Sequence, residues 1–139
     1  MRTGWLFIAC FFIGCALIIG LWSWPAYKNH QKVASGQRAA ELGAQLAFVE
    51  NTYRARVGTF TADFSQLTPF LTTPVPCKLA ASPYVCEGYS YTLDNSGRLL
   101  ATLQSDPQVY IAFDLAQGLV DCSHASQALQ RSPVCSAFE

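Results

Sequence analysis

The sequence predicts an α+β protein in which one long N-terminal helix, apolar in its first half and amphipathic in its second, packs on a small antiparallel β-sheet. Three observations carry that prediction. Residues Trp5 to Trp24, WLFIACFFIGCALIIGLWSW, form an apolar run of twenty residues without a charged side chain. Leu42, Leu46, Val49, Tyr53 and Val57 follow at spacings of four, three, four and four, the stripe of an amphipathic helix. Further on the period becomes two, with Tyr89, Tyr91 and Leu93 alternating against Ser90 and Thr92.

At roughly 1.5 Å per residue the apolar run makes a helix of about 30 Å, the thickness of a bilayer's hydrocarbon core. A cleavable secretory signal has a shorter apolar stretch of roughly 7–15 residues that ends in small side chains. This run ends in Trp22 and Trp24 instead, which with Tyr27 read as an aromatic belt at the headgroups. A lipid-anchor site at Cys15 is disfavoured because the apolar stretch continues through Ala16 to Leu21. The expectation is one retained span. Pro25 kinks a helix rather than ends it where neighbours support the freed groups, so one helix of about 80 Å is expected from about Trp5 to Val57. Gly58 supplies the stop. Glu50 and Arg54, four residues apart, are expected to pair on the wet side of this helix.

The tract 59–76 contains Pro69, Pro74 and Pro76 and reads as a surface connection with one turn around Asp63 to Leu67. The first predicted strand follows at Tyr89 to Leu93. Asp94-Asn95-Ser96-Gly97 supplies turn chemistry, and Leu99, Ala101 and Leu103 resume the alternation, a β-hairpin signature. A third run places Val109, Ile111, Phe113 and Leu115 on one face, and Gln117-Gly118 turns the chain into Leu119 to Cys122.

Cys77, Cys86, Cys122 and Cys135 all follow the span, at spacings of 9 and 13 residues that suit local disulfides. Disulfides place that region in an oxidising space and the N-terminus in the cytoplasm. Four cysteines allow three pairings, of which Cys77 with Cys86 and Cys122 with Cys135 are favoured by proximity alone. Cys10 and Cys15 read as small apolar packing residues. Residues 26–139 carry eight Lys or Arg against nine Asp or Glu, a net charge of −1, so no field favours nucleic acid. A Cys122-x-His124 corner lacks the tight Cys pairs of zinc sites, and no Cys-x-x-Cys redox motif is present. Glu87, Asp114 and Asp121 read as exposed turn or strand carboxylates. With no phosphate loop, nucleophile elbow or Ser-His-Asp order, the expectation is a protein without enzymatic activity, metal or cofactor.

A short basic leader ending in Gly4, the apolar helix beyond it, Pro25-Ala26-Tyr27, and Ala44-Gln45-Leu46-Ala47-Phe48-Val49-Glu50-Asn51-Thr52-Tyr53 followed by Gly58-Thr59-Phe60 stand in one order along the chain. That order resembles the type IV pilins and the pseudopilins of type II secretion, which carry Pro-Ala-Tyr at the first of these places and Gln-x-x-Tyr and Gly-x-Tyr at the others. The resemblance implies a leader at 1–4, a transmembrane and assembly helix at 5–25, its amphipathic half at 26–58 and a periplasmic or extracellular β-sheet region at 59–139. It implies cutting by a prepilin peptidase after Gly4, methylation of the new Trp5 amine, and a disulfide from Cys122 to Cys135 closing the C-terminal loop. The chain would wait in a bacterial inner membrane as a single-pass protein. An assembly platform there would join it through the helix to other pilin or pseudopilin subunits, with Gly20 and Pro25 as the hinge where packing permits unwinding.

One departure shapes the expected role. The family usually has a Glu at the fifth mature position to neutralise a neighbour's N-terminal amine, and cleavage after Gly4 puts Ala9 there. Cleavage after Thr3 restores the proline register but puts Ile8 in that place. An unpaired buried amine costs several kcal/mol, so a subunit without the Glu is poorly suited to repeat along a filament. Family members lacking it are typically minor ones at a tip, which makes a minor subunit the leading expectation. The alternative is a single-span adaptor whose small disulfide-bonded periplasmic domain binds a partner. A third reading, an adhesive or DNA-uptake tip, would use the SHASQALQRSPV tract between Cys122 and Cys135, where Arg131 is the one cation.

Overall fold

The computed structural model describes residues 2–94 and 96–136. The chain forms two compact units, Met1–Ala34 and Ser35–Glu139. Helix α1 spans Arg2–Val57, starting three residues before the apolar run and passing through Pro25. A 3-10 helix follows at Phe64–Phe70, then strands β1 (Tyr84–Cys86), β2 (Tyr89–Leu93), β3 (Arg98–Leu103), β4 (Tyr110–Asp114) and β5 (Leu119–Asp121). Two short helices, α2 (Gln127–Gln130) and α3 (Pro133–Ser136), come last.

The end of α1 is set by local chemistry. Arg54 and Arg56 in its last turn face the negative end of the helix dipole. Gly58 takes φ +94°, and its N–H donates to the Arg54 carbonyl at 2.8 Å, which satisfies one orphan acceptor and reverses the chain. Within the Ser35–Glu139 unit, α1 buries Ala39, Ala40, Leu42, Leu46 and Val49 in the core. Tyr53 packs against it partly buried, while Val57, the last residue of the predicted stripe, is exposed.

The connecting segment, with one turn expected around Asp63 to Leu67, carries the 3-10 helix at that place. Asp63 caps it, its Oδ1 accepting from Ser65 N at 3.0 Å, and Phe64 and Leu67 enter the core. Pro69 sits inside this helix. Its last residue, Phe70, meets Tyr53 edge to face with ring centres 5.7 Å apart.

The five strands run antiparallel in the order β1-β2-β3-β4-β5, a meander whose neighbours in sequence are neighbours in space. Tyr89, Tyr91, Leu99, Ala101, Ile111 and Phe113 turn inward as the alternation predicts. Ala112 departs from it, buried between two inward neighbours. Strand β1 was not legible in the sequence. It pairs Cys86 with Tyr89 across Glu87 and Gly88, whose φ values of 50° and 83° give the both-positive turn that suits the sheet's twist. The β2–β3 turn is built on Asp94, whose Oδ1 accepts from Ser96 N and Arg98 N at 2.9 and 2.8 Å; Asn95 of the predicted turn lies outside the described residues.

The tract between Cys122 and Cys135 is the expected disulfide-closed C-terminal loop, and within it the chain makes two one-turn helices. Ser126 starts α2 with its carbonyl accepting from Leu129 N and Gln130 N, and Leu129 and Cys135 are buried. Leu129 lies where a Cβ on Gly36 of α1 would stand, so that glycine is needed for the contact. Gly43 plays the same part for the sheet, since a Cβ there would lie 2.5 Å from the Phe113 ring. Gly43→Val is expected to lower stability by about 1–3 kcal/mol in chemical denaturation of the full chain, with partial recovery on adding Phe113→Leu. Unchanged stability would show that the ring swings aside freely.

Candidate functional site

Large apolar side chains of the Met1–Ala34 unit stand bare. Phe7 is 79 % exposed and Trp22 82 %. An 18-residue window of α1 has a mean hydropathy of 2.2 and none of it is buried. Each such side chain loses about 1.5–3 kcal/mol by staying in water, so the segment calls for an apolar surrounding. By length and composition it can span a membrane.

The residues singled out for processing and bending lie along this helix. Gly4 and Ala9 are exposed, and Trp5 has its backbone in α1 while its side chain lies outside the described residues. A Cβ on Gly20 would meet nothing within 4 Å, and the Ser23 hydroxyl donates to the Gly20 carbonyl at 3.3 Å. Pro25 has no N–H to offer the Leu21 carbonyl, which leaves the helix weakest just beyond Gly20. Past the proline the contacts turn amphipathic: Lys28 Nζ sits 5.5 Å from the centre of the Trp24 ring, and Gln31 Nε2 donates to the Tyr27 hydroxyl at 2.8 Å. Cys10 and Cys15 are free thiols, the first exposed.

In the Ser35–Glu139 unit the four remaining cysteines form two disulfides, Cys77–Cys86 and Cys122–Cys135, with Cα separations of 5.8 and 5.9 Å. Such bonds suit an oxidising compartment outside the cytoplasm. Among the described residues no group of three or more His, Cys, Asp or Glu could hold a metal ion. The acids weighed for chemistry have local partners. Glu87 lies 3.6 Å from Arg38, Asp114 accepts from Ala116 N and Gln117 N, and Asp121 accepts from Ser123 N. Ser123 holds the Asp121 carboxyl below the usual range. His124, beside the second disulfide, stacks on Tyr110 with ring centres 4.6 Å apart.

Two features, one on the surface and one buried, are not predicted from the sequence. Phe48, 65 % exposed on α1, and Leu119 flank a shallow groove floored by Phe113 and Val120. The other concerns Glu50. The expected Glu50–Arg54 pair does not form: the Arg54 guanidinium lies over the Phe60 ring at 4.8 Å, and Glu50 is fully buried. Its Oε2 accepts from Thr61 N at 3.2 Å, and its Oε1 has no hydrogen-bond partner among the described residues. Burial pushes this carboxyl up to about 7, against the opposing pull of the Thr61 N–H. The signal was available in the spacing, since Glu50 lies four residues after Leu46 and seven after Gly43, on the inward stripe.

Replacing Cys122 and Cys135 together by Ser should lower stability by roughly 2–4 kcal/mol in urea under oxidising conditions. Equal stability of the unaltered protein with and without reductant would contradict a structural role for the disulfides. Set against known proteins, the chain matches no family model, no curated protein and no solved structure.

Proposed function

We propose that this chain is a structural subunit, of the minor kind, of a type IV pilus or type II secretion pseudopilus, held in an inner membrane until it assembles through α1. The observation that carries this reading is the bare apolar half of α1, whose window of mean hydropathy 2.2 has no part buried. A lipid bilayer covers such a surface, and so does a bundle of the same helices from other subunits, which lets one segment serve before and after assembly. The Gly20 to Pro25 stretch supports it, because a helix that must repack benefits from a place where proline already removes one of its hydrogen bonds. The Phe48 groove adds an apolar patch in the Ser35–Glu139 unit that a neighbouring subunit can cover.

The minor role rests on Ala9. Where a repeating subunit needs a carboxylate to meet its neighbour's buried amine, this side chain is a methyl group. A subunit with nothing ahead of it has no such need.

Intact mass and N-terminal peptide mapping of protein from the native membrane and from sheared surface material test the reading. A chain beginning at a methylated Trp5, present in the sheared fraction, is the expected result. An intact Met1 confined to the membrane would replace it with a single-span adaptor. Ala9→Glu should raise incorporation along the shaft at least severalfold by quantitative immunoblot of sheared filaments, and unchanged abundance would count against the minor-subunit assignment.

A further inference from the structure

Glu50 carries more than a packing role, and what it carries belongs to the Ser35–Glu139 unit alone, independent of the filament reading. The carboxyl reaches across the hinge at Gly58 to hold the first stretch of the following segment, through Thr61 N. A Cβ at Gly58 would meet nothing within 4 Å, so the hinge has open space around it. Thr61 is the hub of a small network. Its hydroxyl lies 3.2 Å from Gln66 Oε1, which also accepts from the Tyr53 hydroxyl at 2.8 Å, and it accepts from Asp63 N at 3.1 Å. One donor therefore serves a buried group with two oxygens. Beyond Thr61 the segment is tied to the rest of the unit by the Ser82 N–H on the Ala62 carbonyl at 2.8 Å and by the Asp63–Ala81 bridge, so opening is confined to the stretch before Ala62.

The charged and titratable groups on the elements around Glu50 are engaged elsewhere. On α1, Tyr53 donates to Gln66, Arg54 lies over Phe60 and Arg56 over Phe70. Beyond the hinge, the Asp63 carboxylate accepts from Ser65. On the sheet, Tyr84 and Tyr91 donate to the carbonyls of Cys77 and Ala39, and Asp94 accepts from Ser96 and from the Arg98 N–H. Among the described residues no cation pairs with Glu50 in this arrangement. Arg54 is the nearest candidate in sequence, four residues on, the spacing at which helix side chains meet.

We propose that Glu50, Thr61 and Arg54 form a proton-operated latch: the neutral carboxyl keeps the segment after Gly58 closed on the helix, and ionisation opens that segment so that Glu50 reaches water and Arg54. Closed and open forms exchange one set of partners for another. In the first, Glu50 holds Thr61 and Arg54 covers Phe60; in the second, the two side chains form the ion pair their spacing allows. The direction with pH follows from burial. The closed form keeps a proton that an open form with Glu50 in water releases near pH 4.5, so the closed form is fully favoured below that value and loses its advantage as pH rises through about 7.

Hydrogen exchange read by mass spectrometry on the full chain in lipid nanodiscs tests this, following the peptide across residues 58–64 at pH 5.5 and 8.5 with intrinsic exchange rates corrected. The expected result is a loss of protection on going to pH 8.5 that Glu50→Gln, which cannot ionise, does not show. Arg54→Ala should reduce the opening without abolishing it. Equal corrected protection at both pH values in the unaltered chain, or the same pH dependence in Glu50→Gln, would overturn the latch. Should Glu50→Gln fail to fold, the carboxyl carbon of Glu50 in the unaltered chain is followed by NMR. A midpoint near 7 that coincides with the loss of protection across residues 58–64 supports the latch; a midpoint near 4.5, or one near 7 with protection unchanged, sinks it.

Discussion

The Ser35–Glu139 unit depends on how closely one face of α1 can approach the sheet. That face is made of small residues, Gly36, Ala39, Ala40 and Gly43, and the groups that press on it are large: Phe113 against Gly43, Leu129 against Gly36. Tyr91 crosses the same interface and donates its hydroxyl to the Ala39 carbonyl at 3.3 Å. Small against large lets ring faces reach the helix backbone, and the remaining aromatics, Tyr84 and Phe64, then fill the space at the edge of the sheet. Burial also lifts the Tyr91 phenol above its ordinary range, so the hydroxyl remains a donor wherever the protein stays folded.

Much of this architecture was legible because periodicity reports burial. The four-three-four spacing located the inward stripe of α1, and alternation located β2, β3 and β4. Aspartate was a second legible signal. Asp63, Asp94, Asp106, Asp114 and Asp121 each accept a backbone N–H two residues on, which is how short polar side chains fix turns. Strand β1 escaped notice because it is three residues long and follows a proline-rich tract, and its pairing is fixed by a turn whose first residue, Glu87, is unusual at positive φ. Helices α2 and α3 escaped because one turn holds too few residues to show a period.

Glu50 marks a different limit. A charged residue with a cation four places on reads as a surface pair, and only the width of the face that a sheet covers reverses that assignment. The candidate assembly helix was the opposite case, since twenty uncharged residues announce themselves at any level of reading. What sequence could not provide there is company, because an apolar helix of this kind is defined by whatever surrounds it.

The two disulfides have a mechanical consequence. With sequence separations of 9 and 13 residues, they remove on the order of 70 Å from the contour the chain could reach if pulled taut. Force applied through α1 would therefore peel the 3-10 helix and the sheet only as far as the covalent rings permit. A domain built this way lengthens less under tension than its residue count suggests, and keeps the ring from Cys122 to Cys135 intact while doing so.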